Sequence, residues 1–385
     1  MKSTNKLPEN FQDFEEARRE GFLTIKELKD SGKNIVGTFC TYTPKELIYA
    51  VGAVPVSLCS VSEETISVAE KHLPKNLCPL IKASYGYALT DKCPYMYFSD
   101  MIVGETTCDG KKKMYELLGE LKDTYVMQLP QTQDKERGLD LWKKEISRFK
   151  DKLEKKFDRT ISKEKISEAI SQVNEERKLL KEFYSLGKLT PPPLSGYEMH
   201  NVLNGVSYTF DKKLQNEKIR EIIENLKEID RTKSSKVSVK SPRILITGCP
   251  IGGVAEKIIK PIEDSGAIVV SYENCGGAKN LDRLVDETID PIQALAEKYI
   301  SIPCSVMSPN TDREDLLKRL IEEYQVDGVV EVILQACHTY NVETHKIKRV
   351  VTKERNIPYM SLETDYSTGD TGQVKTRIEA FIEML

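Results

Sequence analysis

Long apolar runs are absent from this sequence, and none approaches the ~20 residues needed to span a bilayer. A charge excess of either sign is lacking too: 57 basic residues face 60 acidic ones, for a net charge of −3. That balance leaves no electrostatic footprint for nucleic acid or an anionic membrane. The opening residues, MKSTNKLPENFQDFEEARREG, are polar and acidic and lack the apolar core of a signal peptide, so a cytoplasmic protein is expected. No G-x-x-x-x-G-K-[ST] occurs, which argues against a P-loop ATPase. The absence of H-E-x-x-H and G-x-S-x-G removes the commonest metalloprotease and hydrolase signatures. Histidine is scarce, with four in 385 residues (His72, His200, His338, His345).

Cysteine is not scarce. There are nine: Cys40, Cys59, Cys78, Cys93, Cys108, Cys249, Cys275, Cys304 and Cys337. A reducing cytoplasm disfavours structural disulfides. No two cysteines stand as C-x-x-C, which disfavours zinc ribbons, thioredoxin-type pairs and ferredoxin-type runs. Buried packing is the simplest alternative for each thiol, and their placement argues against it.

Short β-rich runs alternate with helical patterns in two blocks. The first holds NIVGTF (34–39), VPVSL (54–58), DMIVG (100–104) and YVMQL (125–129). The second holds RILITG (243–248), AIVVSY (267–272), GVVEVIL (328–334) and YMSLE (359–363). Such alternation predicts α/β domains with doubly wound, Rossmann-like parallel sheets. Three regions are expected: an N-terminal α/β domain (1–131), a helical region (132–236) and a C-terminal α/β domain (237–385). Ile166, Ile170, Val173, Leu180 and Phe183 recur at helical spacing in the middle region. TPPPLSG (190–196) breaks that region, and RTKSSKVSVKSPR (231–243) reads as a linker.

Ligands of open α/β sheets bind beyond the carboxyl ends of the strands. Cys40, Cys59, Cys108, Cys249, Cys275 and Cys337 all fall at or just after predicted strand ends. If the two α/β domains face each other across a cleft, these thiols converge there. Thiolates with little competing histidine suit a soft metal centre. Zinc remains open, and an iron–sulfur centre fits a larger cysteine set better.

In GETTCDGKKKMYE (104–116) the chain leaves a buried strand, presents Cys108 and starts a helix. The positive end of the helix dipole favours the thiolate. Lys111, Lys112 and Lys113 either neutralise a reduced centre, dock an acidic electron donor, or form a solvated helix face. ACHTYNVETHK (336–346) repeats the layout at Cys337, with His338 as a candidate proton donor or hydrogen-bond partner. TGCPIGG (247–253) lacks G-x-G-x-x-G spacing, so its glycines read as permitting close backbone approach to a cofactor or substrate.

Several stretches carry a resemblance: NIVGTFCTYTPKELIYAVGAVPVSL, NLCPLIKASYG, KCPYMYFSDMIVGETTCDGKKKMYE, VDGVVEVILQACHTYNVE and ETDYSTGDTGQ. They resemble the 2-hydroxyacyl-CoA dehydratase component D superfamily, and within it most of all the double-cubane cluster proteins. The resemblance covers both α/β blocks. It implies Cys78, Cys108 and Cys337 as a cluster-binding triad. The double-cubane branch is homodimeric, and its [8Fe–9S] centre requires six thiolates. Cys93, Cys275 and Cys304 are the favoured additions, Cys40 and Cys249 the competitors, and Cys59 a packing residue. The resemblance further implies a separate ATP-hydrolysing [4Fe–4S] activator as electron donor, which accords with the missing P-loop.

Two functions follow from it. One is an iron–sulfur reductase that passes low-potential electrons to a small molecule. The other is a 2-hydroxyacyl-CoA dehydratase, a ketyl-radical lyase with a [4Fe–4S] cluster. An electron-transfer subunit without a substrate of its own is a third class.

Overall fold

A computed structural model describes residues 10–228 and 238–385, with side chains from residue 20. The proposed linker at 231–243 lies mostly outside the described residues. Two four-stranded parallel sheets form. The first contains β1 (Asn34–Thr38), β2 (Ala53–Ser57), β3 (Met101–Glu105) and β4 (Thr124–Met127) in the order β2-β1-β3-β4. The second contains β5 (Arg243–Gly248), β6 (Ile268–Glu273), β7 (Gly328–Leu334) and β8 (Tyr359–Thr364) in the order β6-β5-β7-β8. The doubly wound α/β architecture expected from the sequence is therefore present twice, with the same strand order each time.

The burial of the strands explains why the sequence declares them. Every residue of β3, β5, β6 and β7 is buried. Both faces of these strands are covered, so they read as continuous apolar runs rather than alternating ones. Pro55 is tolerated in β2 because β2 is an edge strand, where one side needs no ladder donor. Strand ends move where a side chain takes over the backbone's bonding. Asp100 lies outside β3: its carboxylate accepts from the Ile35 N–H at 2.8 Å and from Lys29 Nζ at 2.7 Å. Beyond β4, the Leu129 N–H leaves the ladder and donates to Thr106 Oγ1 at 2.9 Å.

The described chain divides into two compact units that are discontinuous in sequence. One comprises Glu20–Lys178 with Arg283–Asp312, and the other contains Leu179–Asp282 with Arg313–Leu385. The helical middle is thus shared out between the units. The segment carrying Cys304, which follows β6 in sequence, belongs to the unit built on β1–β4.

The helix Lys135–Phe157 shows what fastens the middle segment to that unit. Asp134 caps it, its carboxylate accepting from the N–H groups of Glu136 and Arg137. Trp142, Ile146, Phe149 and Leu153 lie on one face and are fully buried with Val36, Met101 and Tyr299. The expected helical stripe of Ile166, Ile170, Val173, Leu180 and Phe183 is buried along the helix Lys163–Ser185. After the TPPPLSG break, Ser195 and Glu198 form a capping box that starts the helix Gly196–Gly205. Among the described residues no helix is long and apolar enough to cross a membrane.

Candidate functional site

Each sheet reverses its winding between its first and third strands, β1 and β3 in one, β5 and β7 in the other. Crevices at such switch points are where doubly wound sheets bind ligands. Cysteines mark the strand tips on both sides of the switch. Cys40, Cys59 and Cys108 follow β1, β2 and β3; Cys249, Cys275 and Cys337 follow β5, β6 and β7. All nine cysteines are thiols, and eight are partly exposed; only Cys249 is buried.

Four of these cysteines are helix N-cap residues. Cys78 precedes the helix Pro79–Thr90, Cys93 the short helix Pro94–Phe98, Cys108 the helix Asp109–Gly119 and Cys337 the helix His338–Arg349. None of the four uses its sulfur to cap its own helix. The orphan N–H groups and dipole of a helix start favour a thiolate. This donor set is chemically suited to an iron–sulfur cluster. Among the described residues no three His, Cys, Asp or Glu side chains are grouped to hold a single metal ion.

The turn bearing Cys108 is held by groups far away in sequence. Gln131, in left-handed backbone (φ 53°), donates from Nε2 to the carbonyls of Thr106 at 2.8 Å and Thr107 at 2.7 Å. Gly110 lets two side chains close in: a Cβ there would stand 2.8 Å from Ile81 Cδ1 and 2.9 Å from Leu77 Cδ1, and both would have to shift. The helix that begins after Cys108 is thereby packed against the segment that begins after Cys78.

The three lysines after Gly110 do not act together. Lys112 pairs with Asp109 at 2.9 Å and Lys113 with Glu116 at 2.8 Å, all four side chains solvent-exposed. Lys111 is buried, so neither the docking nor the solvated-face reading applies to it. Its Nζ lies 2.9 Å from Cys40 Sγ and 3.8 Å from Cys59 Sγ, and 5.3 Å from the centroid of the Phe39 ring. Cys59 is thus a neighbour of a buried ammonium.

Beneath this group lies Glu105, the last residue of β3 and fully buried. One carboxylate oxygen accepts from Thr43 Oγ1 at 2.7 Å, and the other has no hydrogen-bond partner. Burial, offset by the Thr43 bond and the Lys111 charge, pushes its carboxyl up to about 7. Burial likewise pushes the Cys40 thiol up, with the Lys111 ammonium opposing it.

In the other unit the turn after β5 is pressed against β7. Gly248 has φ 104°, and a Cβ there would meet the Val332 carbonyl oxygen at 2.3 Å. Cys249 donates its N–H to the same carbonyl at 2.8 Å, and its sulfur accepts from the Leu334 N–H at 3.3 Å. Gly248 thus permits close approach to the neighbouring strand β7. His338 is exposed at the first position of its helix. Cys275 sits in a turn stabilised by Asn274, whose side chain accepts from the Gly276 N–H at 3.1 Å. In the unit of β1–β4, the Cys304 carbonyl accepts from Asn310 Nδ2 at 3.0 Å.

A buried ionic network lies at the ends of β5–β7, and nothing in the sequence pattern announces it. Arg313 donates to Glu273 at 3.2 Å, Thr247 at 3.0 Å, Glu331 at 2.9 Å and Glu343 at 2.6 Å. Lys279 reaches Glu273 at 3.1 Å and the Tyr340 hydroxyl at 2.7 Å. Burial pushes Glu331 up, although Arg313 opposes it; for Glu273 the Lys279 and Arg313 charges outweigh burial and hold it down. Glu273 lies two residues before Cys275 and Tyr340 three after Cys337, so one network braces both cysteine-bearing turns.

Similarity to known proteins decides the family. Residues 40–385 match the family model for the 2-hydroxyglutaryl-CoA dehydratase D-component. The chain belongs to this family. It is 53% identical over 392 residues, covering the whole of both chains, to YjiM of Escherichia coli (strain K12), provisionally named a dehydratase subunit. It is 25% identical over 389 residues, again covering both chains, to the (R)-phenyllactyl-CoA dehydratase beta subunit of Clostridium sporogenes. A benzoyl-CoA reductase polypeptide of Thauera aromatica is 20% identical over 365 residues, 92% of each chain. The proteins it resembles therefore include subunits named for dehydration and a subunit named for reduction.

Proposed function

We propose that this family member is an iron–sulfur reductase whose cluster is an [8Fe–9S] double cubane, held by Cys78, Cys93, Cys108, Cys275, Cys304 and Cys337. The observation that carries the reading is the recurrence of cysteines at the strand tips on both sides of each switch point, with four cysteines set as helix N-caps. Once bound, the cluster would supply single electrons at low potential. The chain's own part is to keep the sulfurs as thiolates at helix starts and to fix the turns that carry them. Gln131 and Gly110 fix the turn of Cys108; the Arg313 network fixes those of Cys275 and Cys337. His338, exposed beside Cys337, is the proposed proton donor to a small-molecule substrate. An ATP-hydrolysing [4Fe–4S] activator supplies the electrons to a homodimer of this chain.

A 2-hydroxyacyl-CoA dehydratase with one [4Fe–4S] cluster on Cys78, Cys108 and Cys337 is the second reading. The names of the family model and of the Clostridium sporogenes relative favour it. Anaerobic turnover with the activator separates the two, using acetylene-like molecules in one arm and 2-hydroxyacyl-CoA thioesters in the other. The reductase reading expects ATP-dependent reduction in the first arm and no dehydration in the second. Dehydration alone would contradict it.

A further inference from the structure

Lys111 is 6% exposed, and among the described residues no carboxylate lies within ion-pairing distance of its ammonium. An ammonium buried without a carboxylate partner is costly and needs a reason. What surrounds it is sulfur. Cys40 Sγ stands at 2.9 Å, a length ordinary for a nitrogen–oxygen hydrogen bond and short for the larger sulfur atom. Cys59 Sγ stands at 3.8 Å on the same nitrogen. The Thr107 hydroxyl is farther from Cys40 Sγ, at 3.6 Å, than the amine is. Cys40 itself is held at φ 54°, in left-handed backbone that a cysteine rarely adopts. Two further polar atoms of this group, Glu105 Oε2 and the Tyr115 hydroxyl, are buried without hydrogen-bond partners. Cys40 and Cys59 are partly exposed residues, so the group lies close to solvent.

We propose that Cys40 and Lys111 are a modification site, joined by a reversible nitrogen–oxygen–sulfur bridge when the protein meets dioxygen. The Cys40 thiol, the Lys111 ammonium and one dioxygen give the bridge, one water and one proton. The S–H bond, N–H bonds of the ammonium and the O–O bond break; S–O and O–N bonds form. Sulfur and nitrogen each give up two electrons, and dioxygen takes all four. Two equivalents of a dithiol return those electrons, releasing thiol, amine and a second water. The bridge ties the tip of β1 to the helix Asp109–Gly119, whose N-cap is Cys108. Neither bridge residue is among the six proposed cluster ligands, so the inference stands apart from that reading.

The test uses the full chain, purified without air and then split between anaerobic and air-equilibrated buffer. Each half is denatured, alkylated with iodoacetamide and digested with trypsin. Only the air-exposed half should yield a peptide joining Asn34–Lys45 to Cys93–Lys112, with cleavage blocked at Lys111. Its mass should exceed the sum of the two alkylated segments, less the Cys40 label, by about 14 Da (one oxygen in, two hydrogens out). Dithiothreitol should reverse it, and neither Lys111→Arg nor Cys40→Ser should form it. A Cys40–Cys59 disulfide, a Cys40 sulfinic acid, or a Cys40 that stays fully alkylated after air exposure would each overturn the proposal. The wild-type map alone decides between these outcomes if a variant does not fold.

Discussion

Glu105 is the residue whose environment makes the sharpest demand on the surrounding protein. The folded protein keeps its proton up to about pH 7, whereas an unfolded chain releases it near pH 4.3, roughly the value of a freely solvated glutamate. Between those values the native state binds more protons, so this group makes stability fall as pH rises, and the loss levels off above the folded value. The full effect is at most about 4 kcal/mol, at roughly 1.4 kcal/mol for each tenfold change in proton affinity. Glu105→Gln should therefore flatten the decline in denaturant-measured stability between about pH 5 and 7.5. An unchanged slope would mean that the carboxyl titrates normally. The lysines beside it divide the same way. Charge reversal at Lys112 and Lys113 should slow activator-dependent reduction at low ionic strength and leave reduction by a small chemical reductant unchanged. Lys111 is excluded from that surface by its burial. Cys59→Ala should cost on the order of 1 kcal/mol, because its sulfur touches Lys111 at the longer of the two distances.

At the scale of elements, the strands were legible because burial on both faces leaves an uninterrupted apolar run. RILITG and GVVEVIL match β5 and β7 end to end. The bounds of β3 and β4 shift by one or two residues, where Asp100 and Thr106 bond to backbone that the ladder would otherwise use. The strand-tip positions of the cysteines were legible for the same reason. The groups that hold them were not. Gln131 lies 23 residues beyond Cys108, and Arg313 lies 40 beyond Glu273, so both read in sequence as ordinary surface polar residues. Only the fold gives each of them its partners. The Arg313 network carries its own prediction. Arg313→Met leaves Glu331 buried without its cation and Glu273 with Lys279 alone, and breaking such a pair costs about 3–5 kcal/mol. Chemical denaturation should show that loss in the unit containing β5–β8. A loss below about 1 kcal/mol would mean that Lys279 and relaxation of Glu343 suffice to balance the charge.

For the whole molecule, the duplicated strand order and the cysteine at each of six strand tips form one pattern, which single-residue packing does not explain. Packing thiols would have no cause to recur at the same end of both sheets. The division into units was harder to read, because Arg283–Asp312 follows β6 in sequence yet packs with β1–β4 through the helices Pro291–Ile300 and Lys135–Phe157. Long-range packing of Ile300, Tyr299 and Trp142 decides that assignment, and no local motif encodes it. The central claim is that Cys78, Cys93, Cys108, Cys275, Cys304 and Cys337 hold a double cubane, and iron with acid-labile sulfide per chain tests it most directly. Protein prepared without air should contain about eight irons and a matching amount of sulfide per chain, and both should be lost in Cys108→Ala and in Cys337→Ala. A reproducible content of about four irons per chain, or full iron retained in the Cys108 variant, would contradict the account.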